Sequence, residues 1–388
     1  MKPCFRGFCS GVWAAILLGS GGFVPAATNS PYWLAADSIH RYSISNFKTA
    51  YGSYRIQTNS ETAYEWYSAS QIYADSAMVA GGDTNYLAGV IEGQRGMNHF
   101  WDGTKTNGGY FAAMKIDGTG AAGDKYTDDN ALAGNVSLDC YARSPDRLKR
   151  RFLDSAKAAA TWLITSGQWD DTFGGGFWWS EQKQNKPTQS NGLALQLFLR
   201  LYQITGQKVY RDWAQATQAW LDHRMFKPAD GLYVWQITTN GTPEGVRSDV
   251  EFTYDNAIMI EAELLYKEVF PASGRPDGAR NLAVSLDRKL WNDEYGVYAF
   301  NTADGRVNPC WCGWASQSLM KLYAAEGGTN WLEHARRNVD YMNAHLRDGQ
   351  EGGYFAFCHL DGSNVEKRME GVDQAWMQKL QAMLARYY

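Results

Sequence analysis

What is missing from this sequence narrows its function before any motif is read. Basic residues are scattered and the formal net charge is −4, so no patch is offered to a nucleic-acid backbone. No GxSxG nucleophile elbow occurs, and no glycine-rich strand-to-helix loop is present to cradle phosphate. CxxC pairs are absent and no histidine falls at ligand spacing, so a zinc site is the poorer reading of the cysteines and no metal is expected. No cofactor is expected either. Linker composition and low-complexity stretches are lacking, which predicts one domain over residues 28–388.

The N-terminus predicts a secreted protein. Lys2 and Arg6 precede an apolar stretch from Gly11 to Val24, and small residues follow at Ala26 and Ala27. This is the pattern of a signal peptide over residues 1–27, and the run is short and glycine-interrupted for a membrane span. The last residues, LQAMLARYY, carry no polar spacer and hydrophobic tail, so no lipid anchor is expected there. The mature chain is expected to be a soluble extracellular monomer. It would hold Cys140, Cys310, Cys312 and Cys358, which read as structural. Cys310 and Cys312 are too close to suit one another, and a bridge from one of them to Cys358 fits better.

Aromatic residues are abundant: 16 Trp, 23 Tyr and 16 Phe. Flat rings with polar edges build cores, and they also line clefts that stack on sugars. They recur in a pattern. A glycine followed by alternating aromatics appears as GGYF from Gly108, GGGFWW from Gly174 and GLYVWQ from Gly231. It returns as GVYAF from Gly296 and GGYFAF from Gly352, with a weaker copy, YGSY, around Gly52. Two helical segments lie between successive markers. One is amphipathic, as in Leu148, Phe152, Leu153, Ala156, Ala159 and Leu163. The other is apolar nearly all round, as in LALQLFLRLY from Leu193, and so is buried. Six hairpins of buried and half-exposed helices predict an all-α fold, an (α/α)6 barrel. The aromatic runs would form short β-strands in loops on one face. An open solenoid of the same hairpins is the competing arrangement.

In such a barrel each aromatic loop leads into an inner helix, and those helix starts face one end. They read YTDDNA, QSNGLA, FTYDNA, CWCGWA and GVDQAW. Asp128, Asp129, Asn191, Tyr254, Asp255, Asn256, Trp311, Trp314, Asp373 and Gln374 are thereby gathered at one depression, with Trp178 from the GGGFWW loop. Carboxylates ringed by aromatics suit a sugar cleft. A single Asp or Asn at a helix start more often caps it. A doubled Asp needs a further reason, because adjacent carboxylates repel and titrate as a coupled pair. Glycoside hydrolysis requires such a division of labour. The six histidines do not fall at these helix starts, which argues against a Ser-His triad and against histidine-dependent epimerases of the same shape.

These residues resemble glycoside hydrolase family 76, the α-1,6-mannanases. The resemblance rests on YTDDNAL from Tyr126, GGGFWW from Gly174, KPTQSNGLAL from Lys186, FTYDNA from Phe252 and DQAWM from Asp373. It implies hydrolysis of α-1,6-linked mannan with retention, Asp128 acting as nucleophile and Asp129 as general acid and base. Departures occur beside the acids: Ala131 and Leu132 stand where the family often has Trp, and TYDNA replaces a TYNQG-like segment. The alternatives are a transglycosylase acting on mannose-containing wall glycans, a polysaccharide lyase, or a sugar-binding protein without turnover. Of the two glycosylation-type sequons, Asn135 falls in an inner helix and is expected to be buried; the other is Asn240.

Overall fold

The structure, a computed structural model, describes residues 25–273 and 277–388. The expected signal peptide lies outside the described residues except for its last three positions. Among the described residues the chain forms twelve α-helices that alternate between two rings. The outer ring comprises α1 (Pro31–Asn46), α3 (Leu87–Met97), α5 (Asp146–Thr165), α7 (Lys208–Trp220), α9 (Gly278–Leu290) and α11 (Thr329–His345). The inner ring comprises α2 (Glu65–Ala80), α4 (Thr127–Arg143), α6 (Thr188–Thr205), α8 (Thr253–Val269), α10 (Gly313–Glu326) and α12 (Gly371–Leu384).

Sequence pattern decides which ring a helix joins. On α5, Phe152, Ala156, Ala159 and Leu163 form one buried stripe, while Arg147, Arg150 and Asp154 lie on the exposed side. On α6 every residue from Thr188 to Leu199 is buried, so no face is left for water. Each inner helix packs on the next, and α12 packs on α2. A solenoid leaves its ends apart; contact between the last and first inner helices makes this a closed (α/α)6 barrel. The weak copy around Gly52 is therefore a full repeat, lying between α1 and α2.

Connections from inner to outer helices are short, whereas those from outer to inner helices are long and carry the aromatic runs. All short strands among the described residues lie in the long connections. Thr62–Tyr64 pairs with Ala113–Lys115, and Asn185–Pro187 pairs with Gln236–Thr238, so neighbouring connections are stitched together. The marker glycines turn the chain sharply. Gly109 has φ +93°, and a Cβ there would lie 2.4 Å from the Trp162 ring, which leaves glycine as the residue that fits.

A helix start exposes backbone N–H groups that need partners. Here the next repeat supplies them. The N–H groups of Glu65, Thr127, Thr188, Thr253 and Gly371 donate to the carbonyls of Ala112, Trp179, Trp235, Phe300 and Ile56, at 2.7–3.1 Å. Three turns carry a second bond of the same sense: the Thr127, Thr188 and Thr253 hydroxyls donate to Trp178, Val234 and Ala299 carbonyls. This hand-over, at five of the six inner helix starts, holds the mouth of the barrel in one geometry.

Candidate active site

The doubled acid sits at the mouth, in the first turn of α4. The N-cap there is Tyr126, whose side chain caps nothing, so Asp128 and Asp129 are not capping residues. Both are nearly enclosed, at 7% and 8% exposure. Their environments differ. Asp128 Oδ2 accepts the indole N–H of Trp179 at 3.1 Å, and its Oδ1 accepts the backbone N–H of Asp129 at 3.2 Å. Burial pushes the Asp128 carboxyl up to about 6, and those N–H bonds hold it from going higher. Asp129 is pushed well above the ordinary carboxylate range, by burial first and then by the charge of Asp128. Asp128 thus ionises first, while Asp129 keeps its proton.

Trp179 is 40% exposed and its ring packs tilted against that of Tyr126, 4.8 Å between centroids. Its neighbour Trp178 faces the other way. That ring is buried, its N–H donates to Asp170 at 2.8 Å, and the Lys186 ammonium lies 4.5 Å over its face. Successive side chains of an extended run point to opposite sides, so Trp179, and not Trp178, faces the mouth. Asp255 on α8 is fully buried; burial and then the charge of Asp128 raise its carboxyl well above normal. Tyr254 lies 4.9 Å from the half-buried Trp311, which stacks at 5.9 Å on Trp66. Trp314 packs beneath, 4.3 Å from Trp376, and is almost completely buried.

Other expected site residues have structural partners. Asn191 accepts the Phe177 N–H at 2.7 Å and donates to the Phe177 and Pro187 carbonyls. Asn256 makes the same three bonds to Tyr233 and Phe252, and Gln374 to Tyr354 and Glu370. Asn130 repeats the pattern on Tyr110 and Tyr126. These amides clamp each aromatic loop to its helix and have no surface left for a ligand. Asp373 belongs to a separate group, accepting from Asn308 and the Cys310 N–H, with Glu370 raising its carboxyl after burial.

Sequence reading passed over Glu65, Trp66 and Trp179. Glu65 opens α2 and is fully buried; burial, then Asp129, then Asp128 push its carboxyl far above normal. Its segment, TAYEWYS, lacks the Asp and Asn pattern of the other starts, but its place in the repeat would have found it. The six histidines all lie on outer helices or loops, none on an inner helix.

The four cysteines among the described residues, Cys140, Cys310, Cys312 and Cys358, are buried thiols, so the expected bridge to Cys358 is not formed. Val307 and Cys358 exchange backbone hydrogen bonds, and the Asn308 N–H donates to Cys312 Sγ, so loops carrying Cys312 and Cys358 meet. Asn135 is buried, its amide donating to the Ala131 and Leu193 carbonyls, whereas Asn240 is exposed. No helix among the described residues is long and apolar enough to cross a membrane.

Comparison with known proteins bears on the fold and the family. The model of the family described as glycosyl hydrolase family 76 matches residues 34–268. A family 76 α-mannanase from Bacteroides thetaiotaomicron superposes with a TM-score of 0.80 at 18% identity, over 92% of this chain and 96% of its own. An α-1,6-mannanase of Salegentibacter sp. HEL1_6 gives 0.70 at 19% identity, over 91% and 99%. That structure is an inactive variant with two adjacent aspartates changed to asparagine, in complex with α-1,6-mannotriose. A cellobiose 2-epimerase from Bacillus thermoamylovorans gives 0.73 at 14% identity, over 91% and 98%, so the barrel alone does not decide the chemistry. No curated protein matches this chain in sequence.

Proposed function

Because the chain belongs to glycosyl hydrolase family 76, we propose that it is a retaining, endo-acting α-1,6-mannanase that uses Asp128 and Asp129. Asp128 attacks the anomeric carbon as the bond to the leaving sugar breaks, and Asp129 gives its proton to the departing oxygen. A mannosyl-enzyme results. Water then attacks the same carbon, surrenders a proton to Asp129 and frees Asp128, leaving the product with the configuration of the substrate.

The observation that carries this reading is the unequal pair. Asp128 is held toward its charged form by N–H donors, as a nucleophile must be, while Asp129 sits in its field with a raised carboxyl, as a proton donor must be. Tyr254 and Trp311 remain proposed sugar contacts, with Trp314 as support beneath; Asp255 and Asp373 are buried side chains and leave that set. Trp179 joins them as an exposed ring beside the nucleophile. Asn191, Asn256, Gln374 and Trp178 are left out of that set, since each is committed to backbone or buried partners. Action outside the cell on mannan, as a monomer, completes the proposal.

Incubation with α-1,6-, α-1,2- and α-1,3-linked manno-oligosaccharides tests it, with products read by mass. Cleavage of the α-1,6 series is expected, and Asp128→Asn should bind without turnover. Wild-type protein that binds every oligosaccharide and cuts none would overturn the assignment.

A further inference from the structure

Six inner helices begin at equivalent positions, and the first residue of each reveals an exception. That residue is Thr127 in α4, Thr188 in α6 and Thr253 in α8, each giving its N–H and its hydroxyl to the next loop. It is Gly313 in α10 and Gly371 in α12. In α2 it is Glu65. The backbone half of the arrangement is kept, since the Glu65 N–H donates to Ala112 at 2.9 Å. The side-chain half is not. Both carboxyl oxygens of Glu65 are buried without a hydrogen-bond partner, and no cation among the described residues pairs with it. Threonine would satisfy the fold at this place, so the architecture does not call for a carboxyl here.

What surrounds Glu65 suggests why it is there. Helix α2 packs on α4, whose first turn holds Asp128 and Asp129. The loop that leads into α4 ties the two helix starts together: its Ala112 is bonded to Glu65, and its Tyr110 to Asn130, the residue after Asp129. The charges that reach Glu65 are those of Asp129 and Asp128, and its own charge acts on Tyr110. Glu370, just before α12, and Asp373 on α12 act on Tyr67, and neither is among the charges that raise Glu65. A fully buried carboxyl in this negative field retains its proton and so has an O–H to donate.

We propose that Glu65 is a positioning residue for the proton donor: a neutral carboxylic acid that gives a hydrogen bond to Asp129 whenever Asp129 is ionised. The proposal rests on the role of Asp129 given above. When Asp129 passes its proton to the leaving oxygen, a bare carboxylate appears beside the Asp128 group inside a dry cleft. The Glu65 O–H turns to that carboxylate and stabilises it; the Glu65 proton is not transferred. Asp129 is thereby a stronger acid in the first step, and water restores its proton in the second.

Substitution to the residue the repeat itself uses makes the test. Glu65→Thr should fold with a Tm equal to or above that of the wild type, since an unpartnered buried carboxyl is removed. Its kcat/KM on α-1,6-mannotetraose should fall at least about tenfold, with the alkaline limb of the pH profile moved upward by about one unit. Glu65→Gln keeps a donor and should recover most of the activity. Infrared difference spectra, wild type minus Glu65→Gln at neutral pH, should contain the band of a protonated carboxyl. Wild-type activity in Glu65→Thr, an alkaline limb moved downward, or no such band would each overturn the proposal. Unimpaired turnover in Asp129→Asn would instead condemn the proton-donor assignment itself, and the infrared band is read without any turnover.

Discussion

The indole N–H of Trp179 donates to Asp128 Oδ2 at 3.1 Å, across a span of 51 residues that joins one repeat's aromatic loop to the preceding repeat's inner helix. This contact favours the ionised form of the buried carboxyl and fixes the direction in which it points. Removing the donor while keeping an aromatic face, as in Trp179→Phe, should raise the Asp128 pKa above about 6. The acid limb of kcat/KM should then move to higher pH, with activity at neutral pH down roughly tenfold. Trp178→Phe should leave that limb where it is, because its N–H serves Asp170.

The pair predicts a bell-shaped profile. Activity should rise as Asp128 loses its proton near pH 6 and fall as Asp129 loses its own at higher pH. Initial rates on an α-1,6-linked oligosaccharide across pH 4–10 read both limbs.

On the acid limb stability should respond in the opposite sense to activity. Both carboxyls have raised native pKa values, so the folded state holds these protons more tightly than the unfolded one. Their contribution is favourable below the unfolded pKa of about 4 and is lost as pH rises toward the native values. Asp128→Asn with Asp129→Asn should therefore abolish turnover and raise Tm at pH 7, by a few degrees. At pH 4 the gain in Tm should shrink. Calorimetry at the two values checks the sign.

The amide clamps should fail structurally, not chemically. Asn191→Ala strands the Phe177 N–H and the Phe177 and Pro187 carbonyls inside the protein. A loss of about 2–4 kcal/mol is expected, read as a lower denaturation midpoint. The pH limbs of whatever folds should be unchanged.

Much of this was legible in the sequence, for identifiable reasons. The marker glycines and the two kinds of helical stripe reflect burial, which leaves a periodic trace, so the (α/α)6 barrel could be read directly. Asp128 and Asp129 stood out because two carboxylates exceed what a helix start needs. Side-chain direction was less accessible. Trp178 and Trp179 are adjacent and alike in sequence, and a half-turn of the strand decides which one meets the nucleophile. Asn191, Asn256 and Gln374 looked like ligands because they share the end of the barrel with the acids; their bonds to loop backbones appear only in three dimensions. Glu65 escaped notice since its repeat is the most divergent, and its meaning emerges when Thr127, Thr188 and Thr253 are set beside it.

The stereochemistry of the first-formed product tests the central claim most directly. Proton NMR of α-1,6-mannotetraose, recorded during the first minutes of wild-type turnover, separates the anomers before they equilibrate. A nucleophilic Asp128 with Asp129 as its acid and base requires the α-anomer to appear first, and Asp128→Asn to give no product. Initial release of the β-anomer would contradict the account, because water would then have attacked the sugar without a mannosyl-enzyme.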